Sequence, residues 1–253
     1  MTELSDPQPG DAAGAPSLEA QAYEAVIDWL SRGEVRPGEP LPLRELAKRL
    51  GMSRTPLRAA VGRLHEQGLV SYHRRLGFSI ALPTSGDLHD LFDLRIMCES
   101  HALRRFLRLP HHELPPEVPR LAQETWELAG RIAHDPAAYP EYSARDGRLH
   151  QALVALPGSS RLADWHDQLK LFGIIFRLGW TVPFDEAEFR TSAREHLGIV
   201  EALAGGDAAA ACARLEAHLL RVRDQTVERL VRAGSIPLGA AYGDRHSPGR
   251  GGW

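Results

Sequence analysis

Between residue 17 and about residue 232, apolar side chains recur at three- and four-residue spacing almost throughout, and the one interruption falls near residue 70. Ser17 is placed to cap a helix reaching about Ser31, with Ala22, Val26, Ile27, Trp29 and Leu30 on its apolar side and Gly33 as its stop. Pro37-Gly38-Glu39-Pro40 reads as a turn. Pro42 suits the first helical position of a short helix from Leu43 to Leu50, closed by Gly51. Ser53 then caps a helix ending near Gly68, whose stripe of Leu57, Val61 and Leu64 is expected to pack on Leu46 and Leu50. Leu69–Tyr72 and Phe78–Ala81 are β-type runs on either side of a basic tip, a hairpin that forms a wing.

After Pro83 the spacing is helical alone. Thr84 and Asp87 make a capping-box pattern ahead of a helix to about Arg108. Further helices are predicted at about 116–134, 136–156, 159–180, 185–204 and 207–232, punctuated by Pro136, Pro157-Gly158, Pro183 and Gly205-Gly206. Short connections predict an antiparallel bundle of about six helices. The fold class is therefore mainly α: an N-terminal winged helix-turn-helix over 17–83 and an all-helical unit over 84–233. Residues 1–16 and 234–253, rich in Pro, Gly and Ala without periodicity, read as a disordered arm and tail.

Charge changes this picture. The chain of 253 residues has a formal net charge of −3, yet residues 44–75 hold eight Lys or Arg (44, 48, 49, 54, 58, 63, 74, 75) against two acids (45, 66). A basic module joined to a distinctly acidic remainder points to nucleic acid as a partner of the first unit. The two cysteines, Cys98 and Cys212, read as buried free thiols, and they build no disulfide framework or thiolate zinc motif. The N-terminus has neither a basic start nor an apolar run, and no stretch approaches a membrane span, so a cytoplasmic protein is expected.

Ser53-Arg54-Thr55-Pro56-Leu57-Arg58 opens the second helix of the helix-turn-helix with two cations where a helix start ordinarily favours acids. A phosphate or a base edge suits that end. Ser53 and Thr55 offer hydroxyls to phosphate, and Arg54 and Arg58, four apart, share a face that enters the major groove. A bidentate arginine on guanine is worth about 1–3 kcal/mol of discrimination. Arg44 on the preceding helix reaches the backbone or a base. Periodicity alone also allows a solvated basic face.

The bundle carries a second constellation. Asp146-x-x-x-His150 places a carboxylate and an imidazole one turn apart, and His196 and His218 come from two later helices. Facing inward together, they form a set for Zn²⁺, Ni²⁺ or Mn²⁺ with positions left open. Twelve histidines make chance pairs easy, and His111, His112 and His134 fall in loops. Spacing alone also fits core or surface histidines.

The run RELAKRLGMSRTPLRAAVGRLHEQGLV within Leu41–Ala81, with Gly77 in the wing, resembles the winged helix of the GntR family of bacterial regulators. The resemblance implies DNA contacts at Arg44, Ser53, Arg54, Thr55 and Arg58, and a minor-groove element at Arg75 and Gly77. Ala59 departs from it, since relatives usually carry Glu there. From Thr84 to Arg232 the chain resembles the FCD ligand-binding domain of the FadR-type branch, and EHLGIVEALAGGD at 195–207 carries its motif. All four metal positions of that domain, Asp146, His150, His196 and His218, are occupied, and Leu149 replaces its usual aromatic. Arg95 and Glu99 match the Arg-and-Glu pattern of its first helix, which implies ligand-binding positions at both, with Arg95 facing a ligand carboxylate; as residues alone they read equally as an i,i+4 ion pair on a solvated face. The helix count fits the smaller, VanR-like subgroup.

The function expected is a ligand-responsive transcription factor, not an enzyme: a homodimeric repressor on a palindromic operator in double-stranded DNA, released by a small organic acid bound beside a divalent metal ion, Zn²⁺ before Ni²⁺ or Mn²⁺. Two alternatives stand beside it. One is a metal-dependent hydrolase with an incidental basic segment, which lacks a clear general base because Glu195 points about 100° away from His196. The other is a DNA-binding dimer with an empty bundle.

Overall fold

The computed structural model describes residues 16–31, 35–81, 84–110, 113–132, 134–178 and 185–232, with backbone alone for Ser31 and residues 170–178. The predicted arm (except Pro16), the tail, Gly33, Pro83, His111, His112 and Pro183 lie outside the described residues.

The first unit is built from α1 (Leu18–Ser31), α2 (Leu43–Arg49), α3 (Arg54–Glu66), β1 (Val70–His73) and β2 (Gly77–Ile80). Ser17 caps α1 as expected, its hydroxyl taking the Ala20 N–H at 3.1 Å. Pro42 sits one residue earlier than predicted, at the cap of α2. Leu46, Leu57, Val61 and Leu64 are buried with Ala22, Val26 and Leu30 of α1, and Leu50 packs against them partly exposed. Each fully buried leucine contributes about 1.5–3 kcal/mol. Between α2 and α3 the chain reverses at Gly51, whose φ of 64° suits glycine, and no neighbour would meet a Cβ there.

The wing is shifted by one residue from its predicted edges: Val70 pairs with Ile80 and His73 with Gly77, around a tip at 74–76. Pro40 forms a bridge with Ser79, an extra pairing that two prolines in a turn did not suggest.

The second unit comprises α4 (Ser85–Phe106), α5 (Glu117–Ile132), α6 (Tyr139–Ala155), α7 (Ser160–Leu178), α8 (Glu186–Ala204) and α9 (Ala208–Arg232). Thr84 and Asp87 form the predicted capping box. The helix expected from 136 begins instead as a 3-10 turn, Pro136–Ala138. Pro140 has no N–H to offer the Pro136 carbonyl, so the turn closes through the tighter bond from Tyr139 to that oxygen.

Helix α5 packs on α6 and α8, α4 on α9, α6 and α7, and α8 on α9. Leu103, Leu121, Leu149, Leu153, Ile199, Leu203, Leu215 and Leu219 form the centre of the bundle core. A smaller apolar cluster of Leu128, Ile132, Tyr142, Phe189 and Ala193 flanks it. Helix α1 packs on α3 within the first unit and also touches α7 of the second. Among the described residues no helix is long and apolar enough to cross a membrane.

Candidate nucleic-acid face and candidate metal centre

Helix α3 buries Leu57, Ala60, Val61 and Leu64 and turns Arg54, Thr55, Arg58 and Ala59 outward. Its first turn carries no acid, whereas α8 starts with Glu186 and Glu188. Ser53 occupies the cap position, yet its hydroxyl makes no cap bond, so the capping predicted for it is not made and the exposed group stands at the helix start. Arg44 is exposed on the first turn of α2, and Arg75 at the wing tip. Among the described residues no ion pair engages Arg44, Arg54, Arg58 or Arg75.

Gly77 closes the wing with φ 80°, and Tyr72 and Phe78 pack across it at 5.0 Å. Arg63, one of the eight cations in the basic stretch, has an internal role: its guanidinium lies 4.1 Å from the centre of the Tyr23 ring. Tyr23 in turn donates its hydroxyl to Gln67 at 2.8 Å.

The bundle brings His150 from α6, His196 from α8 and His218 from α9 into one buried group, with a ring nitrogen of each within 4.8 Å of the others. His196 Nε2 and His218 Nε2 lie 3.2 Å apart. Two nitrogens bound tetrahedrally at Zn–N lengths of about 2.0–2.1 Å would be separated by roughly 3.3 Å, so the donors suit such an ion. Glu99 accepts a hydrogen bond from His150 Nδ1 at 2.6 Å, and Glu195 accepts one from His218 Nδ1 at 2.7 Å. Each contact leaves Nε2 of its ring with the lone pair, the arrangement in which carboxylates orient metal-ligating imidazoles. His196 Nδ1 is buried and has no partner.

Burial holds His196 well below the ordinary histidine range, with the His218 and His150 charges adding to it. Burial also lowers His218, against the opposing hydrogen bond to Glu195. Both rings are therefore neutral at neutral pH and present lone pairs.

The predicted carboxylate, Asp146, stands one step back: its Oδ1 is 3.6 Å from His196 Nε2 and its side chain is 33% exposed. Arg95 and Glu99 separate in role. Arg95 lines the cavities beside the histidines, while Glu99 is fully buried and lines neither of them. The solvated ion pair is excluded, because the Glu99 carboxylate receives Arg95 Nε at 2.9 Å, His150 and, at 3.2 Å, His166 Nε2 of α7. Burial alone would raise the Glu99 carboxyl; His150, the Arg95 guanidinium and the imidazole bonds beside it override that and hold the group well below the carboxylate range. Burial likewise opposes the bonds from His218 and Arg221 at Glu195, and the bonds prevail, bringing it down to about 2.

Sequence reasoning missed His166 entirely. It dismissed Glu195 as a base for His196 without seeing that it holds His218. A cavity of about 170 Å³ opens beside the centre, lined at that end by Arg95, Asp146, His150 and His218. A second, of about 230 Å³, lies against Arg95, Asp146, His150 and His166.

Residues 18–80 match the family described as bacterial regulatory proteins, gntR family, and residues 90–221 match the FCD domain. An HTH-type transcriptional regulator from the TAR-I ttuE–ttuC' intergenic region of Agrobacterium vitis is 31% identical over 155 residues, 61% of this chain and 87% of its own length. The HTH-type transcriptional repressor GlaR of Escherichia coli (strain K12) is 26% identical over 201 residues, 78% of this chain and 90% of its own. Among solved structures, E. coli McbR/YncC superposes with a TM-score of 0.72 at 20% identity, over 85% of this chain and 99% of its own. A GntR-type regulator from Rhodococcus sp. RHA1 gives 0.67 at 22% identity, over 83% and 97%. Those two likenesses concern the fold. The matching families are regulators rather than enzymes, which removes the hydrolase alternative, and with both units matched in order the chain belongs to the GntR family of transcriptional regulators, in the branch that carries an FCD ligand-binding domain.

Proposed function

We propose that this regulator is a cytoplasmic homodimeric repressor whose grip on a palindromic operator is released by a small carboxylate bound beside a divalent metal ion. The observation that carries the reading is the pairing, in one chain, of exposed cations on α3 with a buried three-histidine group at a cavity wall. Residues 17–83 read the DNA and residues 84–233 bind ligand and pair the protomers. Arg54 and Arg58 enter the major groove, Arg44, Ser53 and Thr55 hold the backbone, and Arg75 with Gly77 takes the minor groove. Leu94 and Met97, exposed at 42% and 67% on the outer face of α4, supply an apolar patch for a second copy.

His150, His196 and His218, with Asp146 closing in, would hold the ion; a set of three imidazoles and one carboxylate suits Zn²⁺, with Ni²⁺ or Mn²⁺ as alternatives. When bound, the ion supplies a Lewis-acidic anchor for a carboxylate. Arg95, held at Nε by Glu99, keeps its remaining guanidinium donors for the same carboxylate. The six helices α4–α9 support the VanR-like subgroup.

Selection of bound genomic fragments by the full chain, with and without Zn²⁺ and a panel of small carboxylates, tests the reading. A recovered inverted repeat whose retention falls when metal and one carboxylate are both present is the expected result. Failure to retain any duplex at low salt overturns it.

A further inference from the structure

The lining of the cavity beside the metal centre extends well past the histidines, and its far end is built differently. Three helices, α4, α6 and α8, run toward the histidines along it and α9 runs away. On α9 the lining positions 218, 222, 225, 226 and 229 keep to one face, and His218 and Arg229 are eleven residues, ~16 Å of helix, apart. On α8 the lining runs from Glu188 to Ser192, one turn short of His196. Leu88, Phe92, Phe189 and Val222 make an apolar waist between the ends. At the far end Arg229 of α9 is ion-paired with Glu188 of α8, their side chains 10% and 25% exposed, beside Tyr139 of α6. Arg side chains lean toward the helix N-terminus, so the Arg229 guanidinium is carried toward the waist and shortens the gap.

We infer that the Glu188–Arg229 pair is a second polar subsite, which receives the distal end of the effector and selects an elongated monocarboxylate ending in an uncharged hydroxyl or carboxamide. This inference rests on the carboxylate of that effector being bound at the metal end, as proposed above. The pair is neutral as a unit, so a distal anion gains Arg229 only against Glu188, and a distal cation gains Glu188 only against Arg229. A methyl end excludes water from the ion pair and offers it no hydrogen bond in exchange. A hydroxyl or carboxamide donates to Glu188 and accepts from Arg229 together. The size agrees: an apolar cavity of about 150 Å³ holds benzene, and this one, at about 170 Å³, accepts a slightly larger chain.

Titration calorimetry on the full chain loaded with Zn²⁺ tests the subsite with four probes: acetate for the metal end alone, then hexanoate, adipate and 6-hydroxyhexanoate. The hydroxy acid is expected to bind about tenfold more tightly than either six-carbon competitor, the size of one hydrogen bond to a charged group. In Arg229→Gln the advantage over hexanoate shrinks to within about twofold while adipate falls further behind, and acetate binding is retained, which also reports a folded site. In Glu188→Gln adipate gains on the hydroxy acid, because the repelling charge is gone. Equal binding of the three long probes by the unaltered protein overturns the inference, as does a preference over hexanoate that survives Arg229→Gln. If acetate too is silent, the carboxylate-beside-metal reading has failed and the subsite falls with it; acetate binding without end-group preference sinks the subsite alone.

Discussion

The winged helix and the centre of the bundle both collect nitrogen-bearing side chains, under opposite conditions. On α3 Arg54 and Arg58 are exposed and, among the described residues, engaged by no ion pair, on a helix whose other face is plain aliphatic core. In the bundle His150, His196 and His218 are at most 3% exposed, and two of them are held by carboxylates. Cations in water act nearly independently of one another. Rings in a dry site do not: the lone pair that one presents depends on which atom its neighbour has taken. The first region is expected to respond to mutation additively and the second as a unit.

The sharpest break of that contrast is His196→Ala. Metal content of the purified protein should fall to near zero while the thermal transition of the metal-free form persists; full retention of the ion rejects the centre. Glu99→Gln should keep the fold and lower metal affinity about 10–100-fold, since it weakens the orientation of His150 without removing a ligand. A double-mutant cycle with Glu195→Gln should depart clearly from additivity, and simple addition there would erase the distinction drawn here.

At the other pole, Arg58→Ala should cost about 1–3 kcal/mol of operator affinity and relax the preference at one base position. Combined with Arg54→Ala the losses should add, with metal content unaffected. A smaller effect is expected at the wing, where Arg75→Ala should lower the salt dependence of binding by about one unit of slope and change sequence preference little.

The mildest test is pH. His196 and His218 lie below 6.5 in the folded protein, so under that pH the unfolded chain takes up protons that the folded site refuses, and stability falls as acidity rises. Glu195, depressed to about 2 from 4.5, adds a loss of the same sign as pH falls below 4.5. Thermal transitions of the metal-free protein should therefore decline from pH 7 to 4, and a transition that is flat or rises would contradict the buried neutral rings.

How much of this was legible in the chain follows the same division. The helix-turn-helix and its wing are contiguous: their stripe, glycine turn and cations sit within Leu41–Ala81, and the structure moves the wing's edges by a residue while leaving the predicted Ser53 cap bond unmade. The three histidines were legible too, through a spaced motif. Their supports were not, because Glu99 lies 51 positions from His150 and 67 from His166, and Glu195 lies 23 from His218. No periodicity links such pairs; packing alone brings α4, α6 and α7 to one point. Spacing from Arg95 gives Glu99 only a solvated ion pair, and the family resemblance gives it a place facing a ligand, whereas its carboxylate is buried against Arg95, His150 and His166. The 3-10 start of α6 was legible in principle, since Pro136 and Pro140 are four apart, the spacing at which a missing N–H deprives a carbonyl.

Helix α1 belongs to two units at once. It supplies the floor on which α3 rests, and its outer side leans on α7, the helix whose His166 grasps the Glu99 carboxylate. From the imidazole of His150 to Arg54 and Arg58 of α3, contacts thus run through one carboxylate and three helices. If α3 grips DNA as proposed, a rearrangement that moves Glu99 would have a short path of packed helices to that face.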